Sequence, residues 1–149
     1  MANVLVVFWS RFGATERLAL AAAVGAVQGR ANIRLRWLRE ESCEESSPGW
    51  KETRARMERE YIAPRAVDLE WANGIVLATP ARISADAAEW QAFFNLGSLR
   101  GKVGGAIGAL APAMSQCQMT VLETSATEAT EADRARALGR RVAQGCAAS

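Results

Sequence analysis

The sequence predicts an α/β fold, a doubly wound parallel sheet with helices on both faces. Three observations lead there. Val4–Trp9 and Gly74–Thr79 are apolar at every position, as expected of strands buried on both sides. Each runs into a polar turn and then a helical pattern. A last helix is signalled by Thr130-Glu-Ala-Asp133, a capping-box-like start. Strands alternating with helices require parallel neighbours and crossovers.

Along the chain, Thr15 to about Gln28 is rich in Ala and Leu, with Gly29 placed to end a helix. Ile33, Leu35 and Trp37 alternate with Arg34 and Arg36, which predicts a half-exposed edge strand. Glu40 to Pro64 is charged, and Lys51–Glu60 is expected as a solvated helix behind the Ser47-Pro-Gly49 turn. After Pro80 a helix is expected from Ser84 to about Asn95, with Trp90, Phe93 and Phe94 facing the core. Lys102–Leu110 reads as a strand weakened by Gly104, Gly105 and Gly108, and the last helix reaches about Ala143.

The 149 residues suit one domain over 1–149. A net charge of +2 offers no argument for nucleic acid or an acidic membrane surface. No apolar run approaches a membrane span, and no cleavable signal pattern opens the sequence, so a cytoplasmic location is expected. Cys43, Cys117 and Cys146 are odd in number and lack metal-like spacing, which fits reduced thiols. The chain contains no histidine, so Ser-His and Cys-His nucleophiles, His-based zinc sites and imidazole bases are excluded. A redox cofactor is then the simplest carrier of any chemistry, with no metal and no catalytic side chain expected.

The chemistry-bearing turn is Ser10-Arg-Phe-Gly-Ala-Thr15, between the first strand and the first helix. Backbone N–H groups at a helix N-terminus, with the dipole behind them, suit a phosphate. Gly13 permits close approach, and the hydroxyls of Ser10 and Thr15 can donate. Both hydroxyls are equally ordinary as helix N-caps, and the turn alone leaves the two alternatives open. Neither G-x-G-x-x-G nor Gly-Lys-Ser/Thr is present.

Three segments together resemble the flavodoxin-like NAD(P)H:quinone oxidoreductases of the WrbA type. They are Ser10–Thr15 followed by Glu16-Arg-Leu-Ala19, then Ala72-Asn-Gly-Ile-Val-Leu-Ala-Thr-Pro-Ala-Arg-Ile83, then Gly97-Ser-Leu-Arg-Gly-Lys-Val-Gly104. Ala135–Ala143 is similar to the family's closing helix. The resemblance implies an FMN site in which Ser10, Arg11, Phe12, Gly13, Ala14 and Thr15 hold the phosphate. Thr79, Pro80, Ala81, Arg82 and Ile83 would border the flavin ring, with Arg82 a possible stabiliser of negative charge or else a surface salt bridge. It also implies two-electron transfer from NAD(P)H through FMN to a quinone.

Three departures bear on that reading. Ile83 stands where the family carries an aromatic, Ala109–Gln118 lacks the His and Gly of the third flavin loop, and little chain separates Leu110 from the last helix. The expected sheet order is 2-1-3-4, with Ser115–Thr127 irregular or helical and the fifth strand irregular or missing. FMN is expected to bind weakly, and an exposed fourth strand is expected to favour a homo-oligomer. The rival reading is a flavodoxin-like domain with a degraded FMN site, acting as an interaction or assembly module. A one-electron shuttle fits less well, because such carriers are usually acidic.

Overall fold

The computed structural model describes residues 1–10, 13–39, 48–124 and 130–148. Within them β1 (Asn3–Phe8), β2 (Asn32–Trp37), β3 (Gly74–Ala78), β4 (Val103–Ile107) and β5 (Thr120–Leu122) form one parallel sheet, ordered β2-β1-β3-β4-β5. The helices are α1 (Ala14–Gln28), α2 (Pro48–Glu60), α3 (Ala66–Trp71), α4 (Ala88–Phe94), α5 (Ala111–Gln116) and α6 (Glu131–Ala148).

The period of a strand explains the two cores. Val4, Val6, Phe8, Val76 and Ala78 face one side and pack with Ala19, Ala22 and Ala26 of α1 and Leu138 and Val142 of α6. Leu5, Val7, Ile75 and Leu77 face the other, against Leu69 of α3, Trp90 and Phe93 of α4, and Leu110 and Met114. Phe94 packs beside Trp90 and Phe93 at the margin of that second cluster.

The fifth strand corrects the expected topology. β5 is regular, although only three residues long, and pairs Thr120 with Val103 and Leu122 with Gly105. The crossover is made by residues 108–119, in which the six-residue α5 replaces a full helix. About a dozen residues is the minimum for such a connection, so the short chain suffices. The β4 edge is therefore largely covered within the chain, which removes the stated motive for self-association there.

Other differences concern the charged segment. α2 is more than a solvated helix, because Trp50 and Met57 are buried. α3 was not foreseen, and it brings Asp68, which is completely buried, against β2. Asp68 accepts bonds from Arg36 at 2.9 and 3.0 Å, from Arg34 at 3.1 Å and from the Arg65 amide at 2.9 Å. Burial alone would raise its pKa, but these donors outweigh it and hold the carboxyl below its ordinary value. Arg34 also lies 4.3 Å over the Trp71 ring. The half-exposed strand expected at Ile33–Trp37 is thus tied down on its charged face.

α1 and α6 touch backbone to backbone. A Cβ on Gly25 would fall 1.8 Å from the Arg136 carbonyl oxygen, and one on Gly139 would fall 1.9 Å from that of Ala22. No side chain fits at either position. Gly139→Ala must push the helices apart, and is expected to cost roughly 2–3 kcal/mol of stability in denaturant unfolding. Gly49→Ala is the control: nothing lies within 4 Å of its Cβ position, and the change should be neutral or stabilising.

Candidate functional site

The site is built where β1 and β3 end. Trp9 donates its backbone N–H to the Ala78 carbonyl at 3.0 Å, so the chain turns away from the sheet only at Ser10. The Ser10 hydroxyl accepts the Gly13 N–H at 3.0 Å, closing the turn. Gly13, at φ 95°, is in the left-handed region that favours glycine, and it occupies the N-cap position of α1. Among the described residues no side chain caps this helix, so the first-turn N–H groups keep donor capacity there.

Neither hydroxyl is the side-chain N-cap of α1. Thr15 is inside the helix rather than at its cap. It is 7% exposed, and its hydroxyl has no hydrogen-bond partner among the described residues. Ser10, equally buried, shapes the turn. Arg11 and Phe12 lie outside the described residues.

The second segment is brought beside the first. Thr79 is buried, donates its N–H to the Ile107 carbonyl at 2.9 Å, and accepts the Trp90 indole N–H at 3.1 Å. This gives Trp90 a structural reason beyond packing. A turn follows, with the Ile83 N–H donating to the Pro80 carbonyl at 3.0 Å. Ala81 and Arg82 are exposed and Ile83 is half-buried. Arg82 has no ion pair among the described residues, so the surface salt bridge is absent there.

Two cavities meet at this rim. One, of about 690 Å³, runs from Ala14, Thr15 and Leu18 past Thr79–Ala81 to the end of β4 and the first turns of α6. The other, of about 140 Å³, lies among Trp9, Ser10, Arg82 and Ile83. Ala14, Thr15 and Pro80 belong to both. Ala109–Gln118, the expected position of a third loop, is mostly α5, with Leu110 and Met114 turned into the core.

Sequence reasoning missed the support beneath the loop. Glu16, 5% exposed in the first turn of α1, is clamped by Arg56 of α2 at 2.6 and 3.0 Å. Tyr61 donates its hydroxyl to the same carboxylate at 2.6 Å, and Arg56 also bonds Glu60 at 2.8 Å. The Arg56 bonds hold Glu16 below its ordinary 4.5; burial opposes them, and Tyr61 adds to them. Burial first, then Glu16, push the Tyr61 hydroxyl up. A carboxylate in the first turn of α1 adds negative charge at that helix end, and Arg56 pairs with it. No spacing within α2 marks Arg56 among its other charges, so only the tertiary contact reveals it.

No family model matches the chain. A protein of Paraburkholderia phymatum named NAD(P)H dehydrogenase (quinone) is 30% identical over 118 residues, 74% of this chain and 58% of that protein. One of the same name from Azorhizobium caulinodans is 31% identical over 115 residues, 71% of this chain and 55% of that protein. Among solved structures, a flavodoxin from the domain Archaea superposes with a TM-score of 0.65 at 16% identity, covering 97% of this chain and 99% of the other. Two-electron reduced Megasphaera elsdenii flavodoxin gives 0.63 at 16% identity, covering 93% and 98%.

The fold is flavodoxin-like. The likeness extends over nearly the whole length of those flavodoxins, and the strand order is theirs. In sequence this flavodoxin-like chain is related to the quinone dehydrogenases, which bears out the resemblance seen in its motifs. It spans little more than half the length of those relatives.

The clamp has a pH signature. Glu16 has a lower pKa folded than unfolded, so its contribution is complete above about pH 4.5 and is lost as pH falls through the lowered value. Arg56→Ala should cost about 1–2 kcal/mol at neutral pH, discounted for a side chain that is 37% exposed. In unfolding curves the gap from wild type should narrow steadily below pH 4.5.

Proposed function

We propose that this chain is an FMN-binding flavoprotein of the NAD(P)H:quinone oxidoreductase type, similar to WrbA. The observation that carries the reading is the uncapped N-terminus of α1, directly after β1, with the Thr15 hydroxyl beside it on the cavity wall. A hydroxyl that can donate, beside first-turn N–H groups at the positive end of a helix dipole, fits a phosphate. The residues present fit the group: the amides of Ala14 and Thr15 and the Thr15 hydroxyl would hold the phosphate, and Ser10, which accepts the Gly13 N–H, fixes the turn that presents them.

Thr79, Pro80, Ala81, Arg82 and Ile83 border the ring. Arg82, exposed and free of ion pairs among the described residues, places a positive charge there. When bound, the flavin supplies acceptance of a hydride from NAD(P)H and delivery of two electrons to a quinone, chemistry that needs no histidine. Ile83 offers no aromatic face, so retention is weak and part of the protein is isolated without flavin. No described helix is long and apolar enough to cross a membrane. We extend the proposal to a cytoplasmic protein that acts on a quinone-like small molecule; with the β4 edge covered by β5, a homo-oligomer would need a surface other than that edge.

Thr15→Val preserves shape and removes the donor. FMN affinity should fall by roughly 1–2 kcal/mol, while riboflavin, which has no phosphate, should bind wild type and variant alike in a fluorescence titration. Equal losses for both ligands would overturn the phosphate assignment. With saturating FMN the protein should oxidise NAD(P)H with benzoquinone as acceptor, and Arg82→Ala should slow turnover. A saturated protein with no rate above free flavin would favour the interaction-module reading, to which the missing third-loop His and Gly also point.

A further inference from the structure

We propose that Arg56 is a positioning residue of the anion site: it holds the Glu16 carboxylate away from the first-turn N–H groups of α1, for which that carboxylate would otherwise compete. This rests on the FMN reading above and adds to it a residue from a distant segment.

The need for such a residue follows from position. Gly13 is the N-cap of α1, so Glu16 is its third helical residue. An acid there ordinarily reaches back to the N–H groups of its own helix end, and the dipole favours its charge. Those same donors are what a phosphate takes. In this chain Glu16 is turned elsewhere. The Gly13 N–H is bonded to the Ser10 hydroxyl at 3.0 Å. Arg56 grips both carboxylate oxygens, Oε1 at 2.6 Å and Oε2 at 3.0 Å, and the Tyr61 hydroxyl donates to Oε2 at 2.6 Å. A bidentate guanidinium fixes direction as well as charge.

The clamp is anchored, and it lies against the turn. Met57, the next residue of α2, is completely buried. Tyr61 meets Phe8, the last residue of β1, edge-on with ring centroids 4.9 Å apart. Glu60 steadies Arg56 at 2.8 Å. A Cβ on Gly13 would lie 3.6 Å from Glu16 Oε1 and 4.0 Å from Arg56 Nη2. The other charges near this helix end are Arg17 on the wall of the larger cavity and, from α6, Glu131 and Arg134, which are of opposite sign. Glu16 is the one acid in the first turn of α1.

Parallel fluorescence titrations of the full chain with FMN and riboflavin test this. Arg56→Ala releases Glu16 and should weaken FMN by roughly fivefold or more, while riboflavin, which has no phosphate, stays within about twofold. Adding Glu16→Gln removes the competing charge and should restore FMN to within about twofold of wild type. Adding Glu60→Gln instead changes the net charge equally but leaves Glu16 in place, and should restore nothing. Glu16→Gln alone should bind FMN at least as tightly as wild type, a comparison that does not depend on how the Arg56→Ala chain folds. A structural role alone would weaken both flavins in Arg56→Ala and leave the loss unrepaired by Glu16→Gln. That result overturns the inference and leaves the FMN reading standing. So do unchanged FMN binding in Arg56→Ala, equal restoration by Glu60→Gln, and weaker FMN binding in Glu16→Gln alone. A wild type that binds neither flavin overturns both.

Discussion

The backbone contact between α1 and α6 is the constraint on which the rest of the molecule depends. Helices normally pack with their axes 8–10 Å apart, separated by side chains. Here Gly25 and Gly139 remove the side chains, and each admits a carbonyl of the facing helix. The two helices can then share one face of a sheet whose central strands carry mostly small residues on that side, Val4, Val6, Val76 and Ala78, with Phe8 the exception. Both helix N-termini are delivered to the rim where β1, β3 and β4 end. Widening the contact would move the two walls of the cleft apart and detach α1 from the strands that aim its first turn.

A second constraint is the assignment of polar groups around that rim. Ser10, Thr79 and Glu16 are all buried, and each has its partner: the Gly13 amide, the Trp90 indole, and Arg56 with Tyr61. Thr15 alone of the buried polar residues described has none. Networks of this kind hold a loop in one geometry because any member left unpaired is costly. These bonds fix the described part of the rim, and the Thr15 hydroxyl remains able to donate.

Much of this was legible in the sequence. Continuous apolar runs identified β1 and β3, because a strand covered on both faces leaves no room for polar side chains. The Ser10–Thr15 turn and the Thr79–Ile83 loop were found because both follow such strands. β5 was not legible, since three residues are too few to show a period, and α5 before it is shorter than the helix that parallel crossovers usually contain. α3 was hidden because Asp68 reads as one more surface charge until Arg34 and Arg36 are seen across from it. The internal glycines at 25 and 139 were a usable signal: each interrupts an otherwise good helix, at a cost that a close contact explains.

The Asp68 cluster has a consequence for how the sheet ends. An outermost strand is an invitation to pair with another molecule. At β2 the Trp37 N–H is already taken by the Ile62 carbonyl, and one face carries two arginines drawn onto a buried carboxylate. An incoming strand would have to displace the first and lie alongside the second. At the opposite border β5 offers a template only three residues long. The sheet is thus terminated at both sides by different means, one electrostatic and one by brevity, and the molecule is guarded against growth by strand addition.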